Sequence, residues 1–368
     1  MTTFTLFDHQ MMAKAIELAR AGVYTTSPNP NVGCVIVQDQ TIVGQGFHFQ
    51  AGHPHAEVHA LREAGELAAG ATVYVTLEPC SHYGRTPPCA KGLIDAKVKK
   101  VICAMQDPNP QVAGRGIAML REAGIEVEVG LLESQAKALN LGFIKKMQSG
   151  MPYVQLKMAA SLDGQSALSN GQSQWITSSD ARRDVQKFRA KSGAILSTSK
   201  TVIADNASLN VRWSQLPPSV QAHYHQDKVR QPTRVILDRC GRLSSDLKLY
   251  QHEGDILTVG GENADILAPC KEDGFVDLTS LLSILSQAEN INHLWVEAGA
   301  TLAGSLLKAK LVDQLVIYLA PKLMGSDGRG LLGALGLTQM QDVINLHFDD
   351  VRLVGRDIRI IASIDYKE

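Results

Sequence analysis

Two short segments carry the residue types that hydrolytic metal chemistry needs: PHAE at 54–57 and EPCSHYGRTPPC at 78–89. A hydrolytic zinc takes three protein ligands and leaves a fourth position to water. One imidazole, His55, and two thiolates, Cys80 and Cys89, make such a set. Coordination lowers the pKa of water from about 15.7 to about 7, so hydroxide is available at neutral pH. A carboxylate that is not a ligand must then move protons, and Glu57 has that place. His-x-Glu followed by Pro-Cys and a second Cys is the signature of zinc deaminases that act on nucleobase rings. Here the cysteines stand nine positions apart rather than three, with SHYGRTPP inserted between them. The alternative is a closed structural zinc with His53 or His82 as fourth ligand, which leaves Glu57 without a role.

The elements around these segments must bring them together. Residues 55–68 read as a helix, and 78–90 as a loop leading into another short helix. Both halves of the motif thus open helices, whose free N–H groups and partial positive charge stabilise thiolates. Residues two positions apart on a regular helix point about 200° apart, so His55 and Glu57 converge only at a helix entry. Upstream, 9–21 has apolar residues at helical spacing, and VGCVIVQ and TIVGQGF read as a β-hairpin. Downstream, 71–77 is a short buried strand, VKKVICAM a strand, GIAMLREAG a helix, IEVEVG a strand and ESQAKALNLGFIKKM a helix. This order implies a mixed sheet with helices on both faces.

QSGMP at 148–152 is a polar break that divides the chain at 1–149 and 150–368. The second part is again α/β. Its strands are YVQLKMAAS, GAILS, TRVILD, DILTVG, HLWVEAG, LVDQLVIYLAP and RDIRIIASI, and a helix from about Ser178 to Lys191 is capped by Thr177 or Ser178. Residues 205–232 are irregular, a long functional or connecting loop. No GxGxxG opens this part, and VGGENADI at 259–266 reads as a strand-end turn. VEAGATLAGSLL at 296–307 follows a strand and opens a helix, so its free N–H groups can receive a phosphate.

The bulk properties restrict the possibilities. With 368 residues the chain suits two domains at roughly 100–200 residues each. Its 36 basic and 37 acidic side chains give a net charge of -1, which argues against a phosphate-backbone binder. No basic-then-apolar leader and no run of about 18 apolar residues is seen, so neither export nor a membrane span is expected. Of six cysteines only Cys80 and Cys89 sit in a motif, which fits a reducing, cytoplasmic setting.

The motifs PNPNVG, GFHFQAGHPHAE, EPCSHYGRTPPC and DPNPQVAGRG, in this order, resemble the deaminase half of the bifunctional riboflavin-biosynthesis deaminase/reductases. KMAASLDG, SQWITS, RRDVQKFRAKSGAI, ADNASLNVR and VEAGATLAGSLL resemble the reductase half. The long loop between the cysteines is itself typical of that family. The resemblance implies an N-terminal cytidine-deaminase-like three-layer domain and a C-terminal dihydrofolate-reductase-like α/β domain. It implies loss of the exocyclic amine from a diaminopyrimidinone carrying a phosphoribosylamino group, then NADPH reduction of the product's ribose to a ribityl chain. It agrees with His55, Cys80 and Cys89 as zinc ligands and Glu57 as proton carrier, and places Asn29, His48, His82, Asp107 and Asn109 in the pyrimidine pocket. In the second part it assigns Ala159, Trp175, Thr201, Asp205, Gly299, Ala300, Thr301, Leu302, Ala303, Gly304 and Ser305 to the cofactor. Ser173, Arg189, Leu209, Arg212 and Glu297 fall to the ribosyl-phosphate substrate, with Lys157 and Asp163 near the reacting ribose. Ala300 stands where the family pattern favours proline. A small-molecule enzyme and homo-oligomer, with neither nucleic acid nor membrane as partner, is the expectation. The rival readings are a nucleic-acid base deaminase with a C-terminal binding module and a zinc-stapled scaffold.

Overall fold

Helix α1 (Leu6–Ala21) starts at a reciprocal capping box, in which the Thr5 hydroxyl accepts the Asp8 N–H and the Asp8 carboxylate accepts the Thr5 N–H. The computed structural model describes residues 4–82, 87–110, 112–271 and 274–366. Part of the inserted loop between the cysteines, residues 83–86, lies outside the described residues. The chain divides into two compact units, Met1–Gly150 and Met151–Glu368.

In the first unit, strand β1 (Gly33–Gln38) pairs antiparallel with β2 (Thr41–Phe47) and β3 (Thr72–Val75). Strands β3, β4 (Lys100–Cys103) and β5 (Glu126–Val129) run parallel, giving the order β2-β1-β3-β4-β5. Helix α2 (Ala56–Ala64) packs against β2 and β1. It approaches that closely because Gly44 and Gly46 have no side chains. A Cβ at Gly44 would lie 2.2 Å from the Ala60 carbonyl oxygen, and one at Gly46 2.6 Å from the His59 Cβ. Gly33, next in register, faces the other side, where a Cβ would lie 1.9 Å from the Ala15 carbonyl oxygen of α1. The sheet is therefore sandwiched by helices, as the alternating pattern implies. Helices α3 (Cys89–Asp95) and α4 (Arg115–Glu122) follow β3 and β4.

One sequence expectation changes here. The segment 133–147 is not one helix but two, α5 (Glu133–Ala138) and α6 (Leu141–Ser149), broken at Leu139 and Asn140. The break is used. Buried Asn140 accepts the Asn31 N–H at 2.7 Å and donates to the Asn31 carbonyl at 3.0 Å, and the freed Leu139 carbonyl accepts the Asn31 amide at 2.9 Å. Asn31 belongs to the PNPNVG loop, so the break fixes the loop that carries Asn29.

The second unit is built on an eight-stranded sheet. Its strands are β6 (Tyr153–Ser161), β8 (Ala194–Thr198), β9 (Thr233–Leu237), β10 (Ile256–Val259), β11 (His293–Glu297), β12 (Gln314–Ala320), β14 (Asn345–Val354) and β15 (Asp357–Asp365). Their order is β10-β9-β8-β11-β6-β12-β15-β14, parallel up to β12 and antiparallel for the last two pairings. Short strands β7 (Gln165–Ala167) and β13 (Arg329–Gly330) form a separate ribbon. Helix α7 (Ser179–Lys191) is capped by Ser178, whose N–H and hydroxyl donate to buried Asp357 at 2.7 and 2.6 Å. Helices α8 (Ser199–Asp205), α9 (Pro218–Gln221), α10 (Leu278–Gln287) and α11 (Ala300–Lys308) complete the unit. The loop 205–232 is held by side chains rather than by a ladder: Gln186 accepts the Arg212 N–H at 2.9 Å, and Gln231 bonds both the N–H and the carbonyl of Val211.

Candidate active site

In the first unit both motif halves enter helices, as the spacing requires. His55 is the N-cap of α2, and Cys89 is the first residue of α3. His55 Nδ1 lies 3.7 Å from Cys80 Sγ and 3.3 Å from Cys89 Sγ, and the three donor atoms all fall within 4.8 Å of one another. A tetrahedral zinc with Zn–S of about 2.3 Å and Zn–N of about 2.0–2.1 Å spaces its donors about 3.5–3.8 Å apart, so the set fits zinc. The Cys89 thiol, His55 and the Cys89 N–H at 3.2 Å lower the Cys80 thiol's pKa against the opposing effect of burial.

Glu57 is 3% exposed, and its Oε2 has no hydrogen-bond partner among the described residues. An unpartnered buried carboxylate oxygen beside the ligand set is costly unless something polar comes to it. Burial pushes the Glu57 carboxyl up to about 7, with His55 pulling it down and Cys80 pushing it up. The fourth-ligand candidates of a closed structural site, His53 and His82, do not join the cluster.

The pocket residues divide into two groups. Asn29 and His48 are brought together: the His48 ring stands edge-on to His55 with centroids 5.4 Å apart. His48 Nδ1 donates to the Pro54 carbonyl at 3.2 Å, which leaves Nε2 to accept from Asn29 Nδ2 at 3.2 Å. Burial lowers the His48 pKa, opposed by the bond to the Pro54 carbonyl. Asp107 and Asn109 lie on the turn after β4, where Asp107 accepts the Asn109 N–H at 2.8 Å. Burial raises the Asp107 pKa against the Asn109 N–H bond; the charges of Glu78 and Cys80 add to the rise and His82 opposes it. His82 is exposed.

The second unit holds a cleft of about 1570 Å³. A pocket for one small ligand is about 300–1000 Å³, so this one has room for two. Ala159, Ser173, Trp175, Arg189, Thr201, Asp205, Leu209, Arg212, Glu297, Gly299, Ala300, Thr301, Leu302 and Ser305 all line it. Ala303 and Gly304 do not. They turn to the core face of α11, where Ala303 is buried and Gly304 packs against Gly333. Lys157 lines the cleft, and burial lowers its pKa. Asp163 does not line it; its carboxylate accepts the Met324 and Gly325 N–H groups instead, pinning a loop.

Arg189 and Glu297, both expected to touch substrate, face each other. Arg189 Nε and Nη2 donate to the two Glu297 oxygens at 2.6 and 2.9 Å, and Nη1 donates to the Asn210 carbonyl at 3.0 Å. Trp295 Nε1 donates to Glu297 at 2.8 Å. Burial works against the Glu297 charge, but Arg189 overcomes it and holds the carboxyl down to about 2. Trp175 stands 63% exposed on the wall with the Arg182 guanidinium 4.4 Å over its ring.

Among the described residues the cleft wall carries eleven cations, among them Lys200, Arg239, Arg242, Lys248 and Lys271, against two carboxylates, Asp205 and Glu297. A near-neutral chain has thus concentrated positive charge in one concavity. The sequence reading missed this wall because its residues come from separate loops and never form a run.

Two family models match successive parts of the chain. Residues 6–105 match the cytidine and deoxycytidylate deaminase zinc-binding region, and 152–360 match the RibD C-terminal domain. The riboflavin biosynthesis protein RibD of Haemophilus influenzae is 53% identical over 98% of each chain. The solved Acinetobacter baumannii RibD, form 1, is 47% identical with a TM-score of 0.89, covering 98% of this chain and 99% of that one. A Thermotoga maritima structure described as a diaminohydroxyphosphoribosylaminopyrimidine deaminase/5-amino-6-(5-phosphoribosylamino)uracil reductase is 32% identical with a TM-score of 0.83, covering 98% and 99%. A zinc-binding deaminase region joined to a reductase domain defines a bifunctional enzyme with a small-molecule substrate, and the cytidine-deaminase-like and dihydrofolate-reductase-like folds are both present. The chain belongs to the riboflavin biosynthesis protein RibD family, and it is a deaminase and reductase of riboflavin biosynthesis. The deaminase region of this family binds zinc, and its reductase domain uses NADPH. No helix among the described residues is long and apolar enough to cross a membrane.

Proposed function

We propose that 1–149 is the deaminase domain and 150–368 the reductase domain, acting in turn on a diaminopyrimidinone carrying a phosphoribosylamino group. The observation that carries the first half is the His55–Cys80–Cys89 cluster beside the unpartnered Glu57 oxygen. Those three residues hold zinc, which supplies an activated water when bound. Glu57 takes one proton from the attacking water and gives it to the ring nitrogen, then takes the second from the hydroxyl now on the ring carbon and gives it to the amine, which leaves as ammonia. A carboxyl poised near neutrality suits both tasks. Asn29, His48, His82, Asp107 and Asn109 orient the ring.

The cationic cleft carries the second half. NADPH supplies the hydride, and the chain's part is to bind and orient. Helix α11 opens at Gly299 and turns Ala300, Thr301 and Ser305 to the cleft, and Ala159, Trp175, Thr201 and Asp205 complete the cofactor wall. Ser173, Leu209 and Arg212 meet the ribosyl phosphate, while the Arg189–Glu297 pair backs them. Leu209 has a left-handed backbone, φ 50°, a strained state of order 1 kcal/mol that the loop holds beside Arg212. Arg212 donates to the Ser208 hydroxyl at 3.0 Å and to the Gln215 amide oxygen at 3.4 Å, and keeps its remaining N–H groups for a phosphate. Arg212→Ala is expected to raise the reductase substrate KM about 10-fold or more with deamination and zinc content unaltered. Unchanged reductase kinetics would remove Arg212 from the site.

We further infer a homo-oligomer working in the cytoplasm. Six free cysteines support the reducing setting. Edge strand β14 supports self-association, since Phe348, Val351 and Leu353 are 61%, 57% and 73% exposed along it. Light scattering on the eluting chain is expected to give a multiple of 39.8 kDa, falling to one chain in Phe348→Lys/Leu353→Lys. A wild-type monomer refutes the assembly.

A further inference from the structure

Two residues before Cys80 lies a carboxylate that the zinc chemistry does not use. Glu78 is 3% exposed and forms no ion pair among the described residues. Its oxygens accept four backbone N–H bonds instead. Oε2 takes Asp107 at 3.1 Å and Gly114 at 3.0 Å; Oε1 takes Gly116 at 2.9 Å and Ile117 at 3.2 Å. The Glu78 N–H itself donates to the Met105 carbonyl at 3.0 Å.

All four donors lie between the end of β4 and the first turn of α4. That segment carries Asp107 and Asn109. On its other side Glu78 is joined through Pro79 to Cys80. The two strands of chain are in backbone contact: a Cβ at Gly116 would lie 2.0 Å from the Pro79 carbonyl oxygen and 3.2 Å from Glu78 Oε1. A carboxylate suits this place for two reasons. Hydrogen bonds to a charged acceptor are stronger than neutral ones, and the start of α4 presents partial positive charge. A glutamine would offer one acceptor oxygen and turn an NH2 towards two of the four donors, releasing half of the segment.

We propose that Glu78 is a positioning residue for deamination, fixing the Asp107–Asn109 turn relative to Cys80 and so setting the slot into which the substrate ring fits. This rests on the reading of Asp107 and Asn109 as substrate contacts. Glu78 touches neither substrate nor metal in this scheme; it acts through the turn.

The test uses the full zinc-loaded chain, with Glu78→Gln and, as a control on the pocket reading, Asn109→Ala. Steady-state deamination, zinc content, reductase rate on the deaminated substrate and amide exchange of peptides spanning 105–118 are measured. Displacement of a binding group by about 1 Å can cost about 100-fold, so a KM increase of about 10-fold or more is expected for Glu78→Gln, with kcat within about 3-fold. Zinc and the reductase rate are to stay at wild-type values, and faster exchange is to be confined to 105–118. An unchanged KM in Glu78→Gln while Asn109→Ala raises it overturns the proposal. Joint loss of zinc and kcat also overturns it, because Glu78 would then support the metal site. An unchanged KM in Asn109→Ala overturns the pocket reading beneath it. If Glu78→Gln does not fold, Gly116→Ala pushes the same turn from Pro79 and is to give the same KM-selective change; zinc loss or an unchanged KM there overturns the proposal.

Discussion

Glu57→Gln is expected to lower the deaminase kcat by roughly 10²–10⁴-fold, the usual worth of a positioned proton carrier, with zinc retained. The substitution keeps the shape of a side chain that is 3% exposed, so the packing of the α2 entry is preserved. It removes only the ability to take and return a proton. The three ligand atoms come from His55, Cys80 and Cys89, which reach the cluster from the α2 entry, the loop after β3 and the α3 entry. Metal analysis and ammonia release on the same preparation check the prediction. Wild-type turnover in this variant removes Glu57 from the chemistry, and zinc loss recasts it as a structural support. The reductase rate on already deaminated substrate is to be unaffected.

Arg189→Met is expected to destabilise the second unit by about 3–5 kcal/mol, the cost of leaving one member of a buried ion pair alone. Side-chain exposures of 11% and 13% for Arg189 and Glu297 put the pair in that regime. Three of the Arg189 nitrogens are committed to Glu297 and the Asn210 carbonyl. The change therefore also releases the 205–212 segment that carries Leu209 and Arg212, and reductase activity is to fall with stability. The pair gives this stability a pH dependence. The Glu297 carboxyl sits at about 2 in the folded chain, below its ordinary value of 4.5. Its contribution is fully present above about 4.5 and is lost as pH falls through the folded value near 2. Urea unfolding at pH 6 and pH 3 is to show a loss in the wild type that is smaller in Arg189→Met/Glu297→Leu. A single Arg189→Met cost below about 1 kcal/mol would contradict the pairing energetics.

The His55–Cys80–Cys89 cluster was legible because its residues lie in two short segments whose spacing has few other uses. The N-cap placement of His55 followed from geometry, since a regular helix cannot converge His55 and Glu57. Most strands were legible from apolar runs. Strand β14 was not: Asp349, Asp350 and Arg352 interrupt its apolar residues, and a bulge between Phe348 and Asp350 breaks the alternation. The split between α5 and α6 was hidden because Leu139 and Asn140 keep helical spacing, and only the tertiary bond to Asn31 ends the helix. Glu78 is likewise invisible as a function in sequence, where it stands as one more acid before Pro-Cys. Its four donors arrive from about 30 to 40 positions downstream. The cleft residues could be named only by resemblance, since their positive wall is assembled from loops far apart in the chain.

The central claim is that one chain carries two successive chemistries. The direct measurement supplies zinc, the diaminopyrimidinone ribosyl phosphate and NADPH, and follows ammonia release and NADPH oxidation separately. The account predicts that both occur, that ammonia appears first, and that Glu57→Gln stops both until deaminated substrate is added. Ammonia release without NADPH oxidation, or oxidation that proceeds undiminished in Glu57→Gln on the aminated substrate, would contradict it.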